Sequence, residues 1–339
     1  LGALISDEKN IFVSQLFRVI LILIFVPIVI TDRNDLVFFA RFIQWMVLTN
    51  LVIAVLLFKA PVFQNILLSI HPDFFDIQLS TNRYAGLWGN PNLAGVASLI
   101  SIIFSFWCGG AIGWIGRIAA VILIYLTAGR AATYLLILIL SVYLIMGFSL
   151  IRRWLFSKIL IIISALALVT LIILVSFWNT SYKINPESDK NISRIVDFSE
   201  SATIEKGGYT RVDVTKYGLQ KVLDAPLFGY GLGSMQIESV RVGMEVIGVH
   251  NGFLVVWGEI GIFGLLSYIF ILGVGLRRVF IYNFNLLDKM GLISLWLVFL
   301  IHNFASHQFI LSTLAQIFCG LLFHLPVLLR KEKIYDTAL

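Results

Sequence analysis

Long apolar runs, separated by short polar segments, dominate the pattern of this chain. Several of the runs have about the 17 to 25 residues that an α-helix needs to cross a bilayer. A water-soluble core cannot hold so many apolar helices, so the pattern predicts an all-α, polytopic helical membrane protein. The clearest runs are Leu36–Phe58, Leu93–Trp107, Ala131–Leu150, Ile159–Trp178, Gly252–Gly275 and Phe309–Leu329.

One long polar segment, residues 179–249, interrupts the series of apolar runs. Within it, one side at helical spacing holds Val212, Lys216, Leu219 and Leu223, with Arg211 and Thr215 beside them, which predicts an amphipathic helix lying on the membrane surface. The segment is therefore expected to be a large, partly helical loop. The predicted parts of the chain are transmembrane helices over 1–178 with an outer turn at 71–92, the loop over 179–249, and C-terminal transmembrane helices over 250–339.

Composition and charge narrow the class further. Hydrophobic residues make up 59% of the chain and charged residues 13%, about half the charged share of a soluble domain. The net charge of +6 comes from lysines and arginines at helix ends rather than from one patch, so no nucleic-acid partner is expected. Cys108 and Cys319 fall within or beside apolar runs, so no structural disulfide is expected.

The placement of lysine and arginine predicts the orientation of the helices. Basic clusters at residues 152–158, 277–278 and 330–333 are assigned to the cytoplasm, which places the loop at 179–249 outside. Continued alternation of the helices gives about nine spans, with the first entering from outside. It places the turn Cys108–Gly116 and a short turn at Arg33 on the inner side. Because that start is unusual for a bacterial inner-membrane protein, we expect the chain to be N-terminally incomplete by one or more helices.

This orientation collects polar residues from several helix ends on the outer membrane face. Random placement would divide them between the two faces, so the grouping favours a functional site. Turn formation and helix capping explain Asn90 and Asn92, but they do not explain Arg83. The residues at this boundary are Arg83, Asn90, Asn92, Arg130, Arg211 and His250.

Two of these arginines suit anion binding. Arg130 lies between two long apolar runs with almost no loop around it, where an isolated charge costs about 2.5 kcal/mol or more. It must therefore snorkel to the interface, pair with an acid or bind an anion, and we favour the anion. Arg211 opens the amphipathic helix, where a solvated surface charge is the alternative interpretation.

His250 and Asn251 precede the apolar run that begins at Gly252. An unperturbed imidazole pKa near 6.5 makes His250 the obvious general base of the set, and a cap or wetted interfacial residue is the alternative. Glu259 lies about 13 Å deeper along a continuous helix, where a carboxylate must be protonated, be paired or line a polar cavity. Its expected neighbours are His302, Asn303 and His307.

Several common catalytic motifs are absent from the sequence. The histidines and cysteines have neither the spacing nor the number of a zinc site, and no Walker-type glycine loop or GxSxG motif occurs. Two aspartates one residue apart, frequent in metal-dependent sugar transferases, are also absent. The chemistry is expected to rest on arginine and histidine, with no metal or other cofactor.

Four short motifs, taken together, resemble the O-antigen ligase and O-antigen polymerase superfamily of bacterial inner-membrane glycosyltransferases. Each motif alone is weak, but their order and sidedness between Asn82 and Tyr268 are fairly specific. The chain departs from the family in having fewer spans. The motifs are GLWGNPNLAG from Gly86, TAGRAA from Thr127, PLFGYGLGS from Pro226 and HNGFLVVWGEIGIFG from His250.

The resemblance implies a GT-C-like transferase that moves glycan from undecaprenyl pyrophosphate to a hydroxyl of an acceptor glycan or of lipid A-core, at the periplasmic face. Further expected partners are membrane lipid and a chain-length regulator. Arg130 and Arg211, with Arg83, would bind the pyrophosphate, and His250 would accept the proton of the acceptor hydroxyl or orient it. The supporting residues would be Asn251, Glu259 and Asn92.

Other functions fit parts of the same pattern. Polymerase is slightly preferred over a ligase that attaches polymer to lipid A-core or protein, although the motifs are common to both. A transporter of lipid-linked sugars would also hold charges inside a helical bundle. Against a transporter, the polar groups gather at one face and no internally related halves occur. Arg130 and Glu259 argue against a non-catalytic scaffold.

Overall fold

The structure of the chain is a computed structural model. In it, the chain folds into two compact units. The N-terminal unit is Phe38–Ser201, and the C-terminal unit combines Leu1–Val37 with Ala202–Leu339. The residues that the structure describes are 26–70, 83–88, 90–151, 211–231, 234–237, 241–242, 245–246, 249, 251–305 and 313–338.

The described part of the N-terminal unit is helical. A short 3-10 turn, Gly86–Trp88, precedes a largely buried helix, Pro91–Cys108, that packs against the two helices after it. This buried helix forms the centre of the unit because its side chains are apolar or small on every side. The helices are α1 Arg33–Lys59 (its first turn belonging to the other unit), α2 Pro61–Ile70, α3 Pro91–Cys108, α4 Gly110–Thr127 and α5 Arg130–Ile151.

Very short connections join α3, α4 and α5. Gly109 alone separates α3 from α4, and both it and Gly110 have positive φ angles, 61° and 60°, which glycine adopts without steric cost. Ala128 and Gly129 link α4 to α5, with Ala128 in the left-handed region. Such tight turns bring the N-terminus of α3, the C-terminus of α4 and the N-terminus of α5 to one end of the unit.

The C-terminal unit combines membrane-type helices with the described part of the polar loop. Two helices, Gly252–Ile260 and Ile262–Ile281, are separated by one residue, Gly261. Two strands of two residues each form an antiparallel pair before them. The elements are α6 Arg211–Asp224, α7 Ser234–Ile237, β1 Arg241–Val242, β2 Glu245–Val246, α8 Gly252–Ile260, α9 Ile262–Ile281, α10 Leu286–Ala305 and α11 Thr313–Ala338.

The prediction of an all-α, polytopic membrane protein is confirmed. Five described helices, α1, α3, α4, α9 and α10, are long and apolar enough to cross a membrane, and shorter apolar helices occupy Ala131–Leu144 and Ile317–Arg330. The predicted span Ile159–Trp178 lies outside the described residues. The GT-C likeness, the total of nine spans and the three-part division of the chain stay predictions.

Three local details differ from the sequence expectation. The run Gly252–Gly275 is not one helix, because the backbone breaks at Gly261 between α8 and α9. The turn expected over Cys108–Gly116 shrinks to Gly109, since α4 begins at Gly110. Arg33, expected in a turn, is the first residue of α1.

Candidate active site

The two glycine-rich motifs of the C-terminal unit interlock through their backbones. Tyr230 N donates to the carbonyl oxygen of Gly258 at 2.8 Å, and Gly231 N donates to that of Glu259 at 3.0 Å. These carbonyls belong to the last turn of α8, where a helix has no internal donors for them. The turn after α6 therefore completes the hydrogen bonding of the end of α8.

Two further hydrogen bonds join the same motifs, and in these the segment after α6 supplies the acceptor. The Pro226 carbonyl accepts hydrogen bonds from Ile262 N at 2.9 Å and from Trp257 Nε1 at 3.1 Å. Ile262 is the first residue of α9, so both sides of the helix break are held. We call the two interlocked segments, residues 226–231 and 257–262, the glycine latch.

Glycine is required at two positions of the latch. Gly229 has a φ of 68°, and a Cβ there would lie 2.6 Å from the Gly258 carbonyl oxygen. Gly261 has a φ of 84°, and a Cβ there would overlap the carbonyl of Leu227. Both residues thus need an unusual backbone conformation and a close backbone approach that a side chain would block.

A small apolar core holds α6 against α8. A Cβ on Gly218 would lie 2.6 Å from a methyl carbon of Val249, so α6 approaches the chain before α8 very closely. The absence of a side chain at Gly218 allows this approach. The latch and this core together fix α6, which begins at Arg211, on α8. The buried core residues are Val222, Met235, Val249 and Val255.

The N-terminus of α8 is fixed by Asn251. Its side-chain oxygen accepts hydrogen bonds from Phe253 N at 2.9 Å and Leu254 N at 3.1 Å, and thus satisfies two donors that the helix cannot pair itself. His250 lies outside the described residues, but Val249 before it is buried and Asn251 after it caps α8. The expected role of Asn251 in fixing the turn at His250 stays a prediction.

Glu259 is 5% exposed and lies in the last turn of α8, beside the helix break. It therefore occupies the glycine latch rather than the middle of a long helix. Of its expected neighbours, His302 and Asn303 are buried on α10, and His307 lies outside the described residues.

Aromatic packing links the first turn of α8 to the helices after it. The Phe253 ring lies 5.7 Å from Tyr268 and 4.5 Å from Phe304, centroid to centroid. Asn303 Nδ2 donates to the Tyr268 hydroxyl. The segment directly after His250 and Asn251 is therefore supported by α9 and α10.

Arg83 ties together two helix ends in the N-terminal unit. Its Nε donates to the Thr127 carbonyl at 2.8 Å, and its Nη2 donates to Asn92 Oδ1 at 3.1 Å. A cation is favourable at the C-terminus of α4, where Thr127 lies. Asn90 caps α3 by accepting from Asn92 N at 2.8 Å, as expected from the sequence. Arg83 thus has a structural role in addition to any ligand contact.

Arg130 is the first residue of α5, at the same end of the unit. A Cβ on Gly95 would lie 2.7 Å from Ala132 Cβ, so the first turns of α3 and α5 are in close contact. Arg83 and the first residue of α5 therefore belong to the same end of this unit. The sequence-predicted residues fall into two sets, with Arg211, Asn251 and Glu259 in the other unit.

Asn50, a residue that the sequence did not single out, holds the turn between Arg83 and α3. Its Nδ2 donates to the Ala85 carbonyl at 3.1 Å, and its Oδ1 accepts from Leu87 N at 2.7 Å. The side chain is 2% exposed. An amide within the mostly apolar α1 was the available signal, because buried polar groups in a span need partners.

Within the residues that the structure describes, no three histidine, cysteine, aspartate or glutamate side chains are grouped so that they could hold a metal ion. The available ligand chemistry at the described helix ends is that of guanidinium, amide and backbone N–H groups. These groups suit an anionic ligand.

The family model described as O-antigen ligase matches residues 115–269 of the chain. This match confirms the resemblance to the O-antigen ligase and polymerase superfamily. The matched segment contains the motifs that begin at Thr127, Pro226 and His250, whereas the motif that begins at Gly86 lies before it. The likeness implies a lipid-linked glycan and an acceptor as substrates in general terms. No curated protein matches the chain.

Proposed function

We propose that this protein is a membrane glycosyltransferase that transfers or polymerises glycan from undecaprenyl pyrophosphate onto an acceptor hydroxyl at the periplasmic face of the inner membrane. The observation that carries the proposal is the match of residues 115–269 to O-antigen ligase. That segment contains Arg130, Arg211 and His250, the three residues whose chemistry suits the reaction.

The positions of these three residues in the secondary structure support the proposal. Arg130 begins α5 and Arg211 begins α6, while His250 directly precedes Asn251, which caps α8. The first N–H groups of a helix have no internal partners and carry partial positive charge, so they favour a nearby anion. A guanidinium at such a position adds to the same attraction.

In the proposed reaction, the acceptor oxygen bonds to the anomeric carbon as the bond from that carbon to the pyrophosphate oxygen breaks. The negative charge of the departing pyrophosphate is stabilised by the guanidinium groups of Arg130 and Arg211. His250 takes the proton of the acceptor hydroxyl or orients that hydroxyl for attack. The bilayer holds the polyprenyl tail, so the protein needs to position only the head group.

The remaining residues support the site. Arg83 and Asn92 form one hydrogen-bonded set at the end of the N-terminal unit, where they would position the pyrophosphate-binding groups. Asn251 would hold the turn that carries His250, and Glu259 would stabilise the latch beneath α8. In this scheme the arginines supply the positive charge, and the reaction needs no metal.

A polymerase is our preferred assignment, and the alternative is a ligase acting on lipid A-core or protein. The two differ in the acceptor, and lipopolysaccharide banding in a deletion strain separates them. Loss of the ladder with one repeat retained on the core indicates a polymerase. A bare core together with carrier-linked polymer indicates a ligase.

Transfer by the purified protein tests the proposed reaction. Reconstituted in proteoliposomes with a defined undecaprenyl-pyrophosphate oligosaccharide, the protein should lengthen the glycan or pass it to the acceptor, and EDTA should not reduce the rate. Movement of the intact lipid-linked sugar between leaflets, without new glycosidic bonds, would instead establish a transporter. Transfer that EDTA abolishes would contradict the metal-free mechanism.

A further inference from the structure

A strip of exposed apolar side chains runs along α6 and into the turn after it. The four residues are 41% to 62% exposed, and their spacing of four residues along the helix places the first members on one side. Such a continuous apolar strip on a polar loop marks an interaction surface. The strip consists of Leu219, Leu223, Leu227 and Phe228.

The strip is separate from the face that holds α6 on α8. Gly218 and Val222 are buried in that contact, and they lie on the neighbouring side of the helix. Gln220 and Asp224 are exposed on the other side of the strip, and the exposed Lys216 lies one turn before Leu219. α6 thus has a packed face, an apolar exposed face and a polar exposed face.

The glycine latch connects the strip to the apolar surface of α9. Leu227 and Phe228 lie against Gly261, directly before the first residue of α9. This helix is long and apolar enough to cross a membrane, and only 17% of its most apolar window is buried. Phe263 and Leu266, in its first turns, are 63% and 55% exposed. Leu227 and Phe228 therefore continue the exposed apolar surface at the start of α9.

We propose that α6 is seated in the membrane interface, with Leu219, Leu223, Leu227 and Phe228 in contact with the phospholipid acyl chains of the leaflet that surrounds the start of α9. The sequence predicted an amphipathic surface helix, and the structure assigns which residues enter the lipid and which do not. Lys216, one turn before Leu219, is placed to meet lipid phosphates. The occupant is lipid because the strip continues a surface whose length and apolarity fit a membrane span.

Nitroxide labels on the full chain test this seating independently of any transfer activity. Cys108 and Cys319 are first replaced by alanine, and single cysteines are introduced as Leu223→Cys, Phe228→Cys and, as a control on the polar face, Gln220→Cys. The protein is reconstituted in vesicles of phosphatidylethanolamine and phosphatidylglycerol. Collision rates with oxygen, which concentrates in lipid, and with a water-soluble nickel chelate are then measured.

Labels at positions 223 and 228 should collide several-fold more with oxygen than with the nickel chelate, and the label at position 220 should show the reverse. Equal exposure of positions 223, 228 and 220 to the chelate would overturn the proposal, because the strip would then face water. Shielding of positions 223 and 228 from both reagents would also overturn it, because protein would then cover the strip. Leu219→Cys provides a second measurement if one variant fails to fold.

Discussion

Replacing Arg211 with alanine should lower the kcat of glycan transfer by about 100-fold or more, the effect of removing one donor that stabilises developing negative charge. The loss should not reflect unfolding. Arg211 is the first residue of α6, where a positive charge is opposed by the helix dipole. The helix itself should therefore tolerate the substitution.

Two further variants separate charge from geometry in this experiment. Arg211→Lys retains the charge but loses the paired donors of guanidinium, so its rate should lie between those of the wild type and the alanine variant. Arg277→Ala, an exposed arginine at the end predicted to face the cytoplasm, is the matched control and should transfer at the wild-type rate. An Arg211→Ala enzyme with unchanged kcat would remove this residue from the mechanism.

Replacing Gly261 with alanine should strongly destabilise the C-terminal unit. The residue has a φ of 84°, which costs a non-glycine residue about 1 to 3 kcal/mol, and its new methyl group would overlap the Leu227 carbonyl. Because the overlap is with backbone, the latch must open to relieve it. We expect the thermal midpoint in detergent to fall by roughly 5 °C or more.

Gly273 in α9 is the matched control for this substitution. A Cβ at that position would have no atom within 4 Å, and alanine is the better helix former. Gly273→Ala should therefore leave the midpoint unchanged or raise it slightly. Equal midpoints for the two alanine variants would show that the latch does not hold α6 on α8.

The local rules of helix formation were sufficient to predict much of this fold. The apolar runs marked the membrane-type helices, and side-chain chemistry at Asn90 marked the start of α3. Caps and spans depend on residues near one another in sequence, so a single sequence contains the information. The amphipathic helix at Arg211 was predicted for the same reason.

The features that the sequence did not reveal depend on contacts between distant segments. The run around Gly261 is apolar apart from Glu259, so its periodicity does not mark the break between α8 and α9. The Pro226 carbonyl stabilises this break by accepting from Ile262 N, 36 residues away in the sequence. Likewise, the packed face of α6 is formed by Gly218 and Val222, because Val249 and α8 cover these two residues. Leu219 and Leu223 stay exposed. In a sequence, backbone-to-backbone contacts such as those of the glycine latch are indicated only by glycines.

The grouping of the arginines and His250 on the outer membrane face is the central claim, and cysteine labelling in spheroplasts tests it most directly. Arg130→Cys, Arg211→Cys, His250→Cys and the control Arg277→Cys are each introduced into a chain without Cys108 and Cys319 and treated with a membrane-impermeant maleimide. Positions 130, 211 and 250 should react in intact spheroplasts, and position 277 only after permeabilisation. Reaction of position 130 or 250 only after permeabilisation would contradict the claim.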